Sequence, residues 1–446
     1  MDQILNEIVN FVWGLPLIIF LFLANFYLMF QSKFLPLMGI RHAVSLLFIK
    51  EEAASEGQIS HFQTFCNAIA ATVGLGNISG VAIAITQGGP GVVLWMWVAA
   101  IFGMNTKFFE VTTALILRGK DYRGEVQGGA MYSIQKAFAP KFHFLAYLFA
   151  VCGVVGTLSM FQVNQLASLG TTLLNIDGWM TGVIFGGLTL WVLQGGLARL
   201  SKTCAAIVPV MSLVYIFAAL VILIIKFEML PLVIKDIFIH AFTMKSAVYG
   251  SLSYGFIHIM VTGIKRATFS NEAGLGTAPM AHSNSKTSEP ISEGYVSMLG
   301  PLLDTLIVCT LTALVILVCI SEESLRGQSG ITLSLMAFES SLGQLGKIVL
   351  GISVLLFGYS TILGMANYNE KCWDFLFRGK RFFGSNTFKA WYIGTILLGS
   401  VMTAESVISI IDISYAIMTI PNIIITVYMA KQVQGKLSTY NEKYKL

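Results

Sequence analysis

Residues 62–91 read FQTFCNAIAATVGLGNISGVAIAITQGGPG, an apolar segment long enough to cross a membrane as a helix. Its middle combines glycines with small polar residues, namely Gly74, Gly76 and Gly80 with Thr72, Asn77 and Ser79. Because each glycine lowers helix propensity by about 1 kcal/mol relative to alanine, the segment favours a broken helix. Unwound backbone at that depth can bind a cation or a carboxylate, although small residues also serve close helix packing.

The composition places most of the chain in lipid. Of its 446 residues, 55% are hydrophobic and only 11% are charged, and the mean hydropathy is +0.75. Such a chain cannot present an ordinary charged surface to water. The period-2 alternation of a membrane β-barrel is absent from the sequence. We therefore expect an all-α integral membrane protein with a single transmembrane domain over residues 1–446.

Runs of about 20 apolar residues recur along the whole chain, and each can span the hydrocarbon core as a helix. Eleven spans are predicted, at residues 11–31, 63–88, 91–117, 142–170, 179–197, 204–226, 247–268, 294–320, 343–370, 389–404 and 407–430. Three shorter amphipathic stretches are expected to lie in the membrane interface, at residues 43–49, 131–138 and 230–242.

The basic residues orient these spans. With eleven spans, 22 of the 28 Lys and Arg residues fall in connections on one side of the membrane and 5 on the other. Since basic residues concentrate on the cytoplasmic side, we predict that the N-terminus is outside and the C-terminus inside. The same bias accounts for the net charge of +5, so we expect no nucleic-acid partner.

A second cluster of small and polar residues, TFSNEAGLG at residues 268–276, follows the seventh span about 195 residues after the first cluster. Each cluster opens a block of five spans, 63–226 and 247–430, and the span 11–31 precedes both. Paired interruptions in two halves are typical of transporters built from inverted repeats, whose site lies at the mid-plane of the membrane. The charge asymmetry agrees, because five spans per block invert the second half.

Polar residues in three other spans are candidates for the same site. Gln162 and neighbouring amides in the fourth span either line a site or bond to other helices. Ser360 and Thr361 in the ninth span either bond to carbonyls of their own helix or complete an oxygen cage for a small hard cation. Asp304 in the eighth span is an isolated acid, which binds a proton or cation unless it lies near the hydrated interface.

Two charged pairs also lie in or next to predicted spans. Lys107 and Glu110 are three residues apart in the third span, and we expect them to form a structural ion pair near the inner end. Lys265 and Arg266 lie a few residues before Ser270, which is predicted at the mid-plane, so they would be buried in the membrane. The count of basic residues instead places them on the cytoplasmic side. Either their helix unwinds earlier, near residues 255–263, or they line an aqueous inner vestibule, which is the interpretation we favour.

The sequence contains no catalytic or metalloenzyme motif. Its six histidines never show H-E-x-x-H spacing, and no G-x-S-x-G segment occurs. The six cysteines include no C-x-x-C pair and are expected to pack in the interior. The GLGNISG segment lacks the G-x-G-x-x-G spacing of a dinucleotide site. We therefore expect no enzymatic activity and no cofactor.

Long stretches of the chain closely resemble the sodium:alanine/glycine symporter family. They are residues 72–111, 195–220, 269–290 and 302–317, with weaker matches at 357–372 and 417–424. The resemblance implies a leucine-transporter-like fold of two inverted five-helix repeats preceded by one helix. It also implies uptake of alanine and/or glycine, driven by sodium as the coupling ion, through the cell (inner) membrane of a bacterium or archaeon.

The resemblance also implies roles for individual residues. Those that would contact the substrate are Thr72, Val73, Gly74, Gly76, Asn77, Gln162, Phe269, Ser270, Asn271 and Met365. Those that would hold sodium are Thr72, Gly74, Ser360 and Thr361. The chain departs from the family pattern at Leu75, in the segment GIKRA (263–267) and at Met365. The family usually has an aromatic residue at position 365, and its loss could admit a larger substrate side chain.

Two other classes of function are left open. A proton-coupled carrier, or an exchanger of another small solute on the same fold, would use Asp304 or Glu110 as its titrating group. A membrane-embedded transferase would need clustered His, Asp or Glu at a cytoplasmic face, and a channel would need several identical pore-lining subunits. Neither of these last two patterns is visible in the sequence.

Overall fold

The computed structural model describes residues 2–49, 57–121, 124–242, 255–321, 325, 330–377 and 380–444. The helices of this part of the chain are α1 (Asp2–Val12), α2 (Leu15–Gln31), α3 (Leu35–Met38), α4 (Ile40–Leu46), α5 (His61–Thr72), α6 (Val81–Gly88), α7 (Val92–Ile116), α8 (Ala130–Ala137), α9 (Phe144–Gly156), α10 (Met160–Leu174), α11 (Gly178–Leu193), α12 (Gly196–Ile225), α13 (Leu230–Phe242), α14 (Phe256–Asn271), α15 (Ala278–His282), α16 (Pro290–Pro301), α17 (Thr310–Cys319), α18 (Ile331–Leu342), α19 (Gln344–Phe377), α20 (Ser385–Val401) and α21 (Ala404–Tyr444).

The other regular segments are two π-helices, one short hairpin and three 3-10 turns, at Pro140–Phe142, Phe227–Met229 and Arg381–Phe383. A π-helical turn, Gly76–Gly80, precedes α6, and the π-helix Leu302–Cys309 joins α16 to α17. Strand β1 (Gly119–Lys120) pairs antiparallel with β2 (Val126–Gln127) after α7. The predicted all-α class is therefore confirmed for the described residues, apart from this hairpin.

Seven described helical stretches are long and apolar enough to cross a membrane. They are Gln3–Gln31, Val92–Ile116, Pro140–Leu174, Gly196–Ile225, Pro290–Cys319, Gln344–Phe377 and Ala404–Tyr444. The pair His61–Thr72 and Gly76–Gly88 forms an eighth candidate, bent by 46° at its break. The protein is therefore a multi-pass membrane protein.

The other predicted spans correspond to shorter helices. The spans predicted at residues 179–197 and 389–404 coincide with α11 and α20, which have 16 and 17 residues. The span predicted at residues 247–268 begins outside the described residues and continues into α14. The total of eleven spans, and the orientation derived from it, therefore stay predictions.

The predicted interfacial stretches are helical. Residues 131–138 coincide with α8 and residues 230–242 with α13, while 43–49 overlaps the end of α4. Each of these helices has apolar residues buried on one face, as expected for a helix that lies along the protein. The last helix, α21, continues to Tyr444 and so extends well beyond the predicted span 407–430.

The two interrupted helices lie in the middle of the bundle. α5 packs against α12 and α19, and α14 packs against α7, which also contacts α16. Close approach of α5 to α19 depends on Gly364, where an added Cβ would lie 2.5 Å from the backbone nitrogen of Ala71. A capping box starts α5, since the Ser60 hydroxyl accepts from the Gln63 N–H and the Gln63 amide accepts from the Ser60 N–H.

Candidate functional site

The first break has the form that its glycines predict. α5 ends at Thr72, Val73 is extended with φ −77° and ψ 93°, and the helix restarts in the π-helical turn at Gly76. The amide of Asn77 replaces part of the lost helical bonding, because its Oδ1 accepts from the Gly74 N–H at 2.8 Å. The break is therefore held in shape by a side chain from its own far end.

Gly74 brings this break against α19. A Cβ at Gly74 would lie 2.1 Å from Oγ1 of Thr361 and 3.1 Å from Cβ of the same residue. The Thr361 hydroxyl donates to the Phe357 carbonyl of its own helix at 2.9 Å, which leaves its oxygen lone pairs directed away from that bond. Thr361 and the first break are therefore in direct contact, while the cation site itself stays a prediction.

The second break lies between α14 and α15. Glu272 ends α14 in a left-handed conformation with φ 56°, and Gly274 and Gly276 follow with φ 90° and 77°. A left-handed residue terminates a helix because the next N–H can no longer reach the i−4 carbonyl in line. The helix is therefore interrupted within the predicted cluster 268–276, at residues 272–276.

Asp304 ties the two breaks together. Its carboxylate, which is fully buried, accepts from the Asn77 amide at 2.6 Å, the Thr305 hydroxyl at 2.6 Å and the Ser270 hydroxyl at 3.2 Å. Of the two alternatives for Asp304, the one that places it near the hydrated interface is therefore wrong. One acid on the π-helix Leu302–Cys309 instead fixes the first break relative to the end of α14.

A small cavity lies beside the first break and the last turns of α14, with room for little more than one water molecule. Seven of the predicted site residues line it: Thr72, Gly74, Gly76, Gln162, Phe269, Thr361 and Met365. The sequence analysis did not select its other lining residues: Ala71, Gly156, Leu158, Ile411 and Tyr415. Of these, Ile411 and Tyr415 come from an apolar stretch of α21 without small-residue clusters, so no local signal marked them.

The other predicted site residues lie behind the cavity wall. Asn77 and Ser270 are engaged with Asp304, and Asn271 donates to the Thr305 hydroxyl at 3.0 Å. Ser360 donates to the Phe357 carbonyl and to the sulfur of Met211. Val73 is fully buried in the break itself. These side chains bond to other parts of the bundle and do not line the cavity. They belong to the same segments as residues that do line it.

Lys265 and Arg266 lie beside a larger cavity. α14 is continuous from Phe256 to Asn271, so it does not unwind near residues 255–263. Both cations pair with Asp412, at 3.5 and 3.3 Å, beside a cavity of about 780 Å³ that Gln87 and Glu405 also line. Lys265 and Arg266 therefore do line a cavity, as the vestibule interpretation expects. The predicted topology places the end of α6 and the start of α21 outside, so that topology and an inner vestibule are incompatible, and the side on which this cavity opens stays a prediction. If Lys265 and Arg266 are counted on the outer side, the predicted split of basic residues becomes 20 against 7, so its direction does not change.

Arg266 also closes over the small cavity. Its guanidinium carbon lies 5.6 Å from the ring centroid of Phe269, which itself packs edge-on against Phe161 at 5.3 Å. The cation–π contact orients Arg266 within α14, and its ion pair with Asp412 joins α14 to α21. This layer separates the small cavity from the larger one.

Lys107 and Glu110 do not form the predicted ion pair. Within the described chain, the Glu110 carboxylate accepts instead from the Asn422 amide at 2.6 Å, and no ion pair involves Lys107. Both side chains are nevertheless buried, since Lys107 is 1% exposed and Glu110 is 2% exposed. Their positions three residues apart on α7 direct them to different neighbours.

The opposite end of the site is closed by polar contacts around residues 282–287. Glu293 on α16 accepts from both His61 and His282, and so joins the start of α5 to the end of α15. Lys371 on α19 is buried and donates to Gln127 at 2.5 Å and to Asn284 at 3.1 Å. These contacts join α5, α15, α16 and α19 at this end of the bundle.

Comparison with known proteins shows the family of the chain. The sequence pattern described as the sodium:alanine symporter family matches residues 1–446. The chain belongs to the sodium:alanine symporter family. It is therefore a transporter and not an enzyme, and the family supports sodium-coupled transport of an amino acid. The resemblance found from the residues is confirmed.

Two relatives and one solved structure illustrate the similarity. The sodium/alanine symporter AgcS of Methanococcus maripaludis is 35% identical over 99% of this chain and 97% of its own length. The probable sodium/glutamine symporter GlnT of Bacillus subtilis is 33% identical over 100% of this chain and 92% of its own length. The crystal structure of MhsT in complex with L-phenylalanine has a TM-score of 0.55 at 15% identity, covering 85% of this chain and 98% of that one. At that identity, the likeness to MhsT shows the fold alone.

Proposed function

We propose that the protein takes up a small neutral amino acid, alanine and/or glycine, together with sodium by alternating access. The proposal rests above all on the contact between Gly74 and Thr361 beside a small cavity at the first break. Free backbone carbonyls and a threonine hydroxyl are hard oxygen ligands suited to a small cation. Free N–H groups of a broken helix suit a carboxylate.

The proposed sodium ligands are Thr72, Gly74, Ser360 and Thr361. The proposed substrate contacts are Thr72, Val73, Gly74, Gly76, Asn77, Gln162, Phe269, Ser270, Asn271 and Met365. Sodium and the amino acid both bind to the first break. Binding of either ligand therefore orders backbone that the other ligand also contacts. Such coupling is reciprocal, since either ligand raises the affinity for the other by the same factor.

We further propose that residues 63–226 and 247–430 are the two inverted repeats, that the chain has eleven spans with its N-terminus outside, and that it resides in the cell (inner) membrane. In this arrangement the layer of Arg266 and Phe269 is the outer closure and the contacts of Glu293 are the inner closure. Rocking of the broken helices against the rest of the bundle then exposes the site to one side at a time.

A larger substrate is the second candidate. Met365 lines the cavity with an unbranched, flexible side chain, which can adopt other rotamers and enlarge the space beside it. The relative GlnT is named a probable sodium/glutamine symporter. Glutamine therefore belongs in the set of amino acids to be tested.

The deciding experiment is uptake of radiolabelled alanine, glycine, glutamine and leucine into proteoliposomes, with and without an inward sodium gradient. We expect sodium to stimulate uptake of alanine or glycine more than uptake of leucine. Equal uptake without sodium, or uptake that follows only a pH gradient, would contradict the proposal.

Two variants test the assigned site. Asn77→Ala removes the amide that shapes the first break, and Thr361→Ala removes the proposed sodium ligand, so both should raise the sodium concentration for half-maximal uptake by about tenfold, which corresponds to about 1.4 kcal/mol. Ser353→Ala is the matched control, because its hydroxyl on the same helix bonds only to the Val349 carbonyl. Unchanged sodium dependence in both site variants would remove the ion-site assignment.

A further inference from the structure

A cavity of about 640 Å³ lies between the end of α2 and the last turns of α21. Its walls come from residues 31–42, from Tyr295 of α16 and from residues 434–442 of α21. It shares no lining residue with the small cavity of the site proposed above. Its volume is within the range of small-molecule sites, roughly 300–1,000 Å³.

Side-chain contacts across three elements hold the walls of this cavity in place. The His42 ring of α4 is hydrogen-bonded to the Tyr440 hydroxyl of α21 at 2.9 Å. The Tyr295 hydroxyl donates to Oδ1 of Asn441 at 3.0 Å. Gly39 allows its backbone to approach the Tyr295 ring, because a Cβ there would lie 2.7 Å from Cε1 of that ring. The cavity is therefore enclosed by elements that are fixed to one another.

The charged groups of this cavity are balanced. Among the described residues that line it, Lys33 is the only lysine or arginine and Glu442 is the only acid. Burial lowers the pKa of the third ionisable group, His42, so its imidazole is neutral at neutral pH. Within the described chain, neither Lys33 nor Glu442 forms an ion pair. One cation and one anion, both available, suit a zwitterionic ligand.

The uncharged polar groups indicate which kind of ammonium such a ligand carries. Amide side chains of Gln31, Gln434 and Asn441 add hydrogen-bond donors and acceptors to the lining. A primary ammonium donates to amide and carboxylate oxygens, whereas a quaternary ammonium needs an aromatic cage.

The aromatic rings near the cavity do not provide that cage, because they stack on one another. The His42 and Tyr295 ring centroids are 4.9 Å apart, those of Tyr295 and Tyr440 are 5.8 Å apart, and those of Tyr440 and Tyr444 are 4.5 Å apart. Their faces are therefore in contact with other rings of the protein. This favours a ligand with a primary ammonium.

Exposed apolar side chains lie next to the cavity on the side of the membrane. α2 belongs to a stretch that is long and apolar enough to span the membrane, and it ends at Gln31. Met38 lines the cavity and is 79% exposed, while Phe30 and Phe34 are 65% and 47% exposed. The cavity therefore lies where a spanning helix ends, at the level of lipid headgroups, with an apolar surface beside it.

We propose that this cavity binds the headgroup of phosphatidylethanolamine, a zwitterionic phospholipid with a primary ammonium. The phosphate accepts from the Lys33 ammonium and from amide N–H groups, and the lipid ammonium donates to the Glu442 carboxylate. The acyl chains lie along Phe30, Phe34 and Met38. A bound lipid thus bridges the end of α2 and the last turns of α21.

The test is binding of radiolabelled phosphatidylethanolamine to the purified, delipidated full-length protein in detergent. Unlabelled phosphatidylethanolamine should displace the label at about tenfold lower concentration than phosphatidylcholine or phosphatidylglycerol, since neither of these can donate from an ammonium to Glu442. Equal displacement by the three lipids would overturn the site and leave only non-specific lipid around the protein.

Variants test the two charged residues. Lys33→Gln and Glu442→Gln should each weaken binding by about tenfold, the effect of losing one hydrogen bond to a charged group. Lys436→Gln is the matched control, because it removes an exposed cation of α21 that does not line the cavity, and its binding should stay within about twofold. All three side chains are exposed, and size-exclusion chromatography checks that the variants are folded. Unchanged binding in both cavity variants would overturn the proposal.

A soluble headgroup distinguishes a lipid from a free zwitterion. Glycerophosphoethanolamine has the same headgroup without acyl chains and should displace the label at least about tenfold less well than the intact lipid. Equal displacement would overturn the assignment to a lipid. None of these measurements depends on uptake, so their failure would leave the proposed transport function in place.

Discussion

At the scale of single residues, Gly74 shows how a missing side chain makes a site. Its backbone approaches Thr361 more closely than any Cβ allows, and the hydroxyl that approaches it comes from a helix nearly 290 residues later in the chain. Gly80, in the same glycine-rich segment, has no atom within 4 Å of its added Cβ. The structure therefore requires a glycine at position 74 but has space for a side chain at position 80.

This difference predicts that Gly74→Ala reduces sodium-dependent uptake by about tenfold or more, whereas Gly80→Ala stays within about twofold. The new methyl group would meet three atoms of the β-branched Thr361, at 2.1, 3.1 and 3.4 Å, so rotation about χ1 cannot clear the space. Overpacking of this kind costs about 1–3 kcal/mol. The measurement is initial uptake per amount of correctly reconstituted protein, and equal loss in the two variants would contradict the argument.

At the scale of elements, the two broken helices act as one unit because side chains cross between them. Asp304 binds Asn77 of the first break and Ser270 at the end of α14, just before the second break, and Arg266 binds Asp412 of α21. Neither helix alone could hold its unwound backbone in lipid, since unpaired backbone groups there are costly. Their bonding through Asp304 therefore holds the two interruptions in a fixed relation.

The ion pair between α14 and α21 gives a second prediction. Asp412→Asn leaves Arg266 and Lys265 without their shared counter-charge in a buried position, and removal of one partner of a buried pair costs about 3–5 kcal/mol. We therefore expect at least a tenfold loss of uptake.

Glu339→Gln is the control for that variant, because it removes an ion pair of the same kind with Lys347 whose side chains are 46% and 37% exposed. Exposed pairs contribute about 0–1 kcal/mol, so its uptake should be nearly unchanged. Equal activity of Asp412→Asn and Glu339→Gln would show that the pair does not close the outer side.

At the scale of the whole molecule, the end of the site opposite Asp412 depends on contacts among distant segments. The segment after α15 bonds to the start of α5 through a backbone bridge between Ile59 and Ser285. Arg118, at the end of α7, donates to the carbonyls of Ser285 and Thr287 at 3.0 and 3.1 Å. Lys371 adds a tie to α19. Closure at this end therefore joins segments from both proposed repeats.

The tie to α19 gives a third prediction, on stability. Lys371→Met keeps the length of the side chain but removes its bonds to Gln127 and Asn284 and leaves their oxygens buried. The loss should be about 2 kcal/mol, the scale of hydrogen bonds to a charged donor.

Thermal unfolding in detergent, followed by size-exclusion chromatography of heated samples, measures this loss. Lys371→Met should unfold at a lower temperature than Lys347→Met, whose ammonium lies on the surface. Indistinguishable unfolding temperatures would mean that Lys371 does not stabilise the closure.

The sequence by itself determined the membrane class, both helix breaks and the family, because these depend on local features. Apolar run length, glycine clusters and long motifs are properties of neighbouring residues. Thr361, Gln162 and Phe269 could be selected through the family resemblance, and the structure brings them to one cavity. Even Asp304 was visible as a lone acid in an apolar run.

Only the tertiary structure decided which groups pair. Glu110 bonds to Asn422 and not to Lys107, and Lys265 and Arg266 pair with Asp412, because partners in a helical bundle are chosen across helices by packing. Tyr415 reaches the cavity from a stretch with no local signal. Residues that are 100 or more positions apart in the chain meet only once the bundle has folded, so no pattern of spacing could have assigned these contacts.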